Sequence, residues 1–129
     1  MYQRFVLAVS ALVFIGIGIM FLSSPQSLLP RVNITAPPGT ALADVRAVYG
    51  GLDLGIGLFL AFCSVRSQVR MGLVACVLTL GGLACGRILG IALNPEQEVI
   101  TYYLLASEVF GAALAGAGLV MNASPKVDD

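Results

Sequence analysis

Apolar residues along the chain fall into four long runs separated by short polar stretches. The first run, Phe5 to Leu22, carries no charge over eighteen residues and follows Arg4, so as a helix it measures about 27 Å, close to the thickness of a bilayer's hydrocarbon core. It is longer than the apolar centre of a secretory signal, and Pro25 directly follows Leu22-Ser23-Ser24, the one tolerable small-residue cleavage site. A retained anchor is therefore expected over a cleaved leader. A second run, from about 41 to 63, is long enough to span although it contains Asp44, Arg46 and Asp53, and Thr40 stands where a cap is needed. The third, 71 to 93, is interrupted only by Arg87 and stops at Asn94-Pro95. The fourth, 99 to 121, contains Glu108 and is preceded by Glu96 and Glu98, whose negative charge suits the positive end of a helix dipole.

The segments between these runs are short except for one. Ser23 to Gly39 contains Pro25, Pro30, Pro37 and Pro38; proline lacks a backbone donor and drives the preceding residue toward extended backbone, so this stretch is expected to be a long loop. Asn33-Ile34-Thr35 matches a glycosylation sequon, but so short a match without a secretory context carries no weight. Ser64 to Arg70 is a polar turn, and Pro125 with the charged Lys126-Val127-Asp128-Asp129 ends the sequence.

Composition agrees with the pattern. Hydrophobic residues make up 58% and charged residues 11%, with a mean hydropathy of +0.94, too apolar for a soluble core to absorb. The expected fold is an all-α, integral membrane four-helix bundle forming a single domain over 1–129, with spans at about 5–22, 41–63, 71–93 and 99–121. Seven Lys and Arg balance seven Asp and Glu, which leaves no electrostatic footprint for nucleic acid as a partner. Arg4, Arg66, Arg70 and Lys126 fall on one side of the spans, with Arg31 opposite. The positive-inside rule then sets both termini in the cytoplasm, N-in/C-in.

Charges inside the spans are the chemically informative residues. On the second run Arg46, Tyr49, Gly50, Asp53 and Gly57 recur at helical spacing and define one stripe. Counted from the loop ends, Arg46 and Arg87 are shallow, whereas Asp53 and Glu108 are about 13 to 20 Å deep. Each would cost on the order of 3 kcal/mol if it faced lipid at a helix centre, so all four are expected to turn inward or toward water. Two readings stay open. Arg46, Asp53, Arg87 and Glu108 are ion pairs that fix helix register, or they line a polar cavity with Tyr49 and with Tyr102 or Tyr103, where Asp53 or Glu108 could exchange a proton.

Small residues and cysteines add packing information. Gly82, Gly86 and Gly90 repeat every four residues, as do Ala112 and Gly116; such stripes seat a neighbouring helix within the bundle or a second subunit. Gly16 and Gly18 add little. Cys63, Cys76 and Cys85, odd in number and without any His, form neither a disulfide framework nor a metal site and are expected as small apolar packing residues. No cofactor is implied.

The segment Ala43-Asp44-Val45-Arg46-Ala47-Val48-Tyr49-Gly50-Gly51 resembles the hallmark of a small bacterial membrane family, the domain of unknown function 4345, which is similar in layout to the wider DoxX-like group of four-helix proteins. Arg87 and Glu108 stand at suitable places in the third and fourth spans. The resemblance implies a four-helix fold in a bacterial inner membrane and carries Arg46, Tyr49, Gly50 and Gly51 over as motif residues, but implies no activity; a quinone or redox-partner role follows only by analogy with DoxX-like proteins.

The function expected from these features is binding of a small amphiphile, a membrane lipid or a quinone-like molecule by Arg46, Tyr49, Asp53, Arg87 and Glu108, the arginines taking its polar head. The alternatives are a proton-coupled small transporter, or a structural subunit that joins a homo-oligomer or a larger membrane complex through its glycine faces. No catalytic motif argues for an enzyme.

Overall fold

The structure is a computed structural model that describes residues 1–32, 34, 35 and 39–123. Asn33 of the sequon, Pro37, Pro38, Pro125 and Lys126 lie outside the described residues, and with them the sequon and tail readings. The described chain is helical, with four helices long and apolar enough to cross a membrane: Tyr2–Ser23, Thr40–Val65, Val69–Leu93 and Val99–Met121, called here the first to fourth spans.

Their ends follow from local chemistry. The third helix stops at Leu93, and Asn94 before Pro95 is extended (φ −133, ψ 91) as the proline ring demands. Thr40 does not cap the second span. Gly39 does so, at φ +73, a left-handed backbone that glycine adopts without penalty, and its carbonyl accepts from the Leu42 and Ala43 amides at 3.1 and 3.4 Å.

The proline-rich stretch is also more ordered than its composition suggests. Pro25 opens a single helical turn, Pro25–Leu28, and a 3-10 turn, Leu29–Val32, follows. Leu29 holds helical backbone (φ −53, ψ −44) in spite of Pro30. Its side chain is fully buried and its carbonyl takes the Ile34 amide at 2.9 Å, which together offset the local preference.

The first and second spans run antiparallel along a close seam. A Cβ on Gly18 would stand 2.6 Å from the Leu54 amide nitrogen, one on Gly57 2.7 Å from Ile15 Cγ1, and one on Gly50 2.8 Å from Leu22 Cγ. Ser64 Oγ donates to the Arg4 carbonyl at the far end of the seam. The third and fourth spans form a second antiparallel pair, with Leu80 over Gly111 and Leu73 beside Gly118.

The two pairs meet where the termini lie. Val6, Leu7, Ala11 and Phe14 pack there with Leu60, Cys63, Leu73, Cys76 and Ala115. Tyr2 Oη donates to the Leu114 carbonyl and Gln3 Nε2 to that of Gly118. Gly72 lets the third span close on the second and first, since a Cβ there would fall 2.7 Å from Cys63 Cβ and 2.9 Å from Leu7 Cδ1. Outward, large apolar side chains such as Phe5, Leu12, Leu78, Phe110 and Val120 are mostly exposed, a surface that suits an apolar solvent rather than water.

Candidate functional site

Intramembrane charges must find partners, and the structure brings two of the four together. Arg87, on the loop half of the third span, donates through Nε to both oxygens of Glu108 on the fourth, at 2.7 and 2.9 Å. Glu108 is 6% exposed, whereas the Arg87 side chain keeps 30% of its surface open. A guanidinium binds a carboxylate most fully as a fork, but here only Nε is used. The donors on Nη1 and Nη2 make no hydrogen bond among the described residues.

Arg87 also lines a half-open hollow of about 690 Å³ at the loop end of this helix pair. Val32 and Ile34 of the proline-rich segment form one wall, Gly90 and Ile91 another, and Glu96 and Thr101 the side toward the Asn94–Glu98 turn. The hollow thus joins one cation to several acceptors at the level where the spans end. Gln97, pinned by its Nε2 on the Asn94 carbonyl at 2.8 Å, lies on the same wall.

The other expected site residues stand elsewhere. Arg46 is exposed and donates through Nε to the carbonyl of Leu22 at 3.4 Å, where a cation complements the free carbonyls and negative dipole end of the first helix. Tyr49, 42% exposed, lays its ring 5.4 Å from that of Phe21. Gly50 is buried beneath Leu22. The Arg-x-x-Tyr-Gly-Gly segment therefore docks the second span on the last turn of the first. Leu22 and Ile15 of the first helix occupy the space that the missing side chains of Gly50 and Gly57 leave.

Asp53 is half-buried, and its carboxylate makes no hydrogen bond or ion pair among the described residues. Tyr102 and Tyr103 are exposed. Of the residues expected to share one cavity, only Arg87 borders the hollow, with Glu108 behind it. Glu96, which the sequence marks only as a helix-dipole charge, borders it with Gln97 and Thr101, which the sequence does not mark. Their place just past a helix-stopping Asn-Pro, opposite an intramembrane arginine, is the signal that marks them.

The motif has a second unexpected feature. Arg46–Leu52 is a π-helix within the second span, and its wider turn displaces the simple stripe that helical spacing assigns to Arg46, Tyr49 and Asp53. Such segments recur at functional sites. This one holds the motif against the first helix.

Among the cysteines, Cys63 and Cys76 are buried and Cys85 is exposed, all as free thiols; Cys76 Sγ lies 3.5 Å from Ser10 Oγ. Among the described residues no group of His, Cys, Asp or Glu is arranged to hold a metal ion.

Comparison with known proteins gives one match. The family model described as a domain of unknown function (DUF4345) covers residues 2–119. No curated protein and no solved structure matches the chain.

Proposed function

This chain belongs to that family, and from this footing we propose that it is a multi-pass bacterial inner-membrane protein that holds a small amphiphile, a lipid or a quinone-like molecule beside Arg87 and Glu108. The finer architecture in this reading is a four-helix bundle with both termini in the cytoplasm, based on Arg4, Arg66, Arg70 and Lys126 at one end. The hollow then opens at the outer face. A relation to DoxX-like proteins motivates the quinone as one candidate head.

The observation that carries the proposal is the half-used guanidinium. Glu108 holds Arg87 in place through Nε, and the remaining donors stand at a hollow of about 690 Å³, within the range of small-molecule sites. Structural pairing alone would be served by a closed fork. Arg46, engaged with the first helix, becomes a docking residue in this reading, and Arg87 takes the ligand's polar head alone.

Native mass spectrometry of protein taken gently from its membrane tests this. A defined bound amphiphile is expected on the wild type and on Arg46→Lys, and is lost from Arg87→Lys, which keeps a cation for Glu108 but not the Nη donors. Bulk lipid carried equally by all three would reject the proposal.

A second reading, proton-coupled transport, draws on Asp53, a half-buried carboxylate in a span without a partner among the described residues. Under it, Asp53→Asn abolishes proton-driven uptake into vesicles while binding persists; unchanged uptake excludes it.

A further inference from the structure

The charges around the hollow say more about its occupant than Arg87 does alone. One guanidinium there faces the carboxylate of Glu108, and Glu96 adds a further negative charge at the wall. The site is net acidic. A simple anion would gain Arg87 and meet repulsion from the carboxylates, whereas a group bearing an acceptor and a cation side by side satisfies both.

A second, independent feature lies below. Gly90 lines the hollow, and Gly86 and Gly82 continue down the same helix face at four-residue intervals. A Cβ on any of the three would meet nothing within 4 Å. Among the described residues none occupies that track, so packing between them does not explain its smallness. It runs about 12 Å from Gly90 to Gly82, starting at the level where headgroups lie and descending into the apolar layer.

We propose that the hollow binds a zwitterionic phospholipid with an ammonium head, its phosphate on the Arg87 Nη donors, its ammonium on Glu96, and one acyl chain in the track over Gly90, Gly86 and Gly82. This rests on the amphiphile-binding reading above and names its ligand class. Charge complementarity and the continuity of headgroup site and chain track select this occupant over a soluble anion, which would use neither the acid nor the track.

The test titrates the full-length protein in detergent with phosphatidylethanolamine, phosphatidylglycerol or free phosphoethanolamine and counts adducts by native mass spectrometry. Phosphatidylethanolamine is expected to be retained roughly fivefold better than phosphatidylglycerol, and Glu96→Gln is expected to bring that ratio toward one. Gly90→Leu, which has open space for its side chain, is expected to remove the adduct while the thermal midpoint stays unchanged. Free phosphoethanolamine is expected to leave no adduct at concentrations that saturate with the lipid. Preference for phosphatidylglycerol, or a ratio that ignores Glu96→Gln, would overturn the headgroup assignment while leaving amphiphile binding standing. Free phosphoethanolamine binding as well as the lipid would overturn the acyl-chain track. Equal binding of the lipid to wild type and Gly90→Leu would likewise overturn the track, whereas failure of either lipid to bind the wild type better than it binds Arg87→Lys would remove the amphiphile reading itself.

Discussion

At the scale of single residues, the sequence marks Arg87 and Glu108 because charges in an apolar run are costly, yet it does not reveal which charge meets which. Pairing depends on how the third and fourth spans are rotated against each other, and four charges allow several arrangements. The observed pair predicts an asymmetric response to mutation. Arg87→Ala leaves a carboxylate that is 6% exposed without its cation, a loss of about 3 to 5 kcal/mol. Replacing both partners, as Arg87→Met with Glu108→Leu, removes the cost of burying charge and is expected to recover most of that stability. In a Cys85→Ser background, which removes the exposed thiol, the buried free Cys63 and Cys76 supply the readout through labelling by a thiol-reactive fluorophore on heating. If Arg87→Ala labels at the wild-type temperature, the ion pair contributes nothing to holding these helices.

At the scale of elements, the four spans are legible because charge-free or nearly charge-free runs of about twenty residues have few other uses. The details that depend on a neighbour are not. Neither the π-helix at Arg46–Leu52 nor the helical backbone of Leu29, which burial of its side chain helps to hold, follows from local residue preference. The glycines show the same limit. Spacing favours Gly82, Gly86 and Gly90 as a helix seat and gives Gly18 no emphasis, but in the structure Gly18 is pressed against the Leu54 backbone while the three stand open. Gly18→Ala forces the seam of the first and second spans apart, because a backbone nitrogen 2.6 Å away cannot rotate aside; a loss of about 1 to 3 kcal/mol is expected. Gly86→Ala is expected to leave the labelling temperature where it is. Equal losses at the two positions would mean that the third span's glycines are packed against something in the purified protein, as the oligomer reading requires.

At the scale of the whole molecule, the structure is two helix pairs joined at one end. Among the described residues, no buried member of their shared core lies beyond Phe14 on the first span, before Leu60 on the second, beyond Cys76 on the third or before Ala115 on the fourth. Each pair is closed internally, by the glycine seam in one and by Arg87–Glu108 in the other. In a bilayer, helices insert independently and then associate through packing and interhelical hydrogen bonds, so covalent continuity between the pairs at the Arg66–Gln68 turn is dispensable if the shared core is sufficient. Two fragments, 1–67 and 68–129, are therefore expected to co-purify when expressed together. Leu73 is fully buried in that core, and Leu73→Ala removes contacts worth about 2 to 5 kcal/mol, including its own pair's contact at Gly118, while leaving the glycine seam and Arg87–Glu108 in place. It is expected to separate the fragments, whereas Arg87→Met with Glu108→Leu is expected to leave them together. The reverse result, association that survives Leu73→Ala but fails when the ion pair is replaced, would place the joint between the pairs at the loop end beside the hollow.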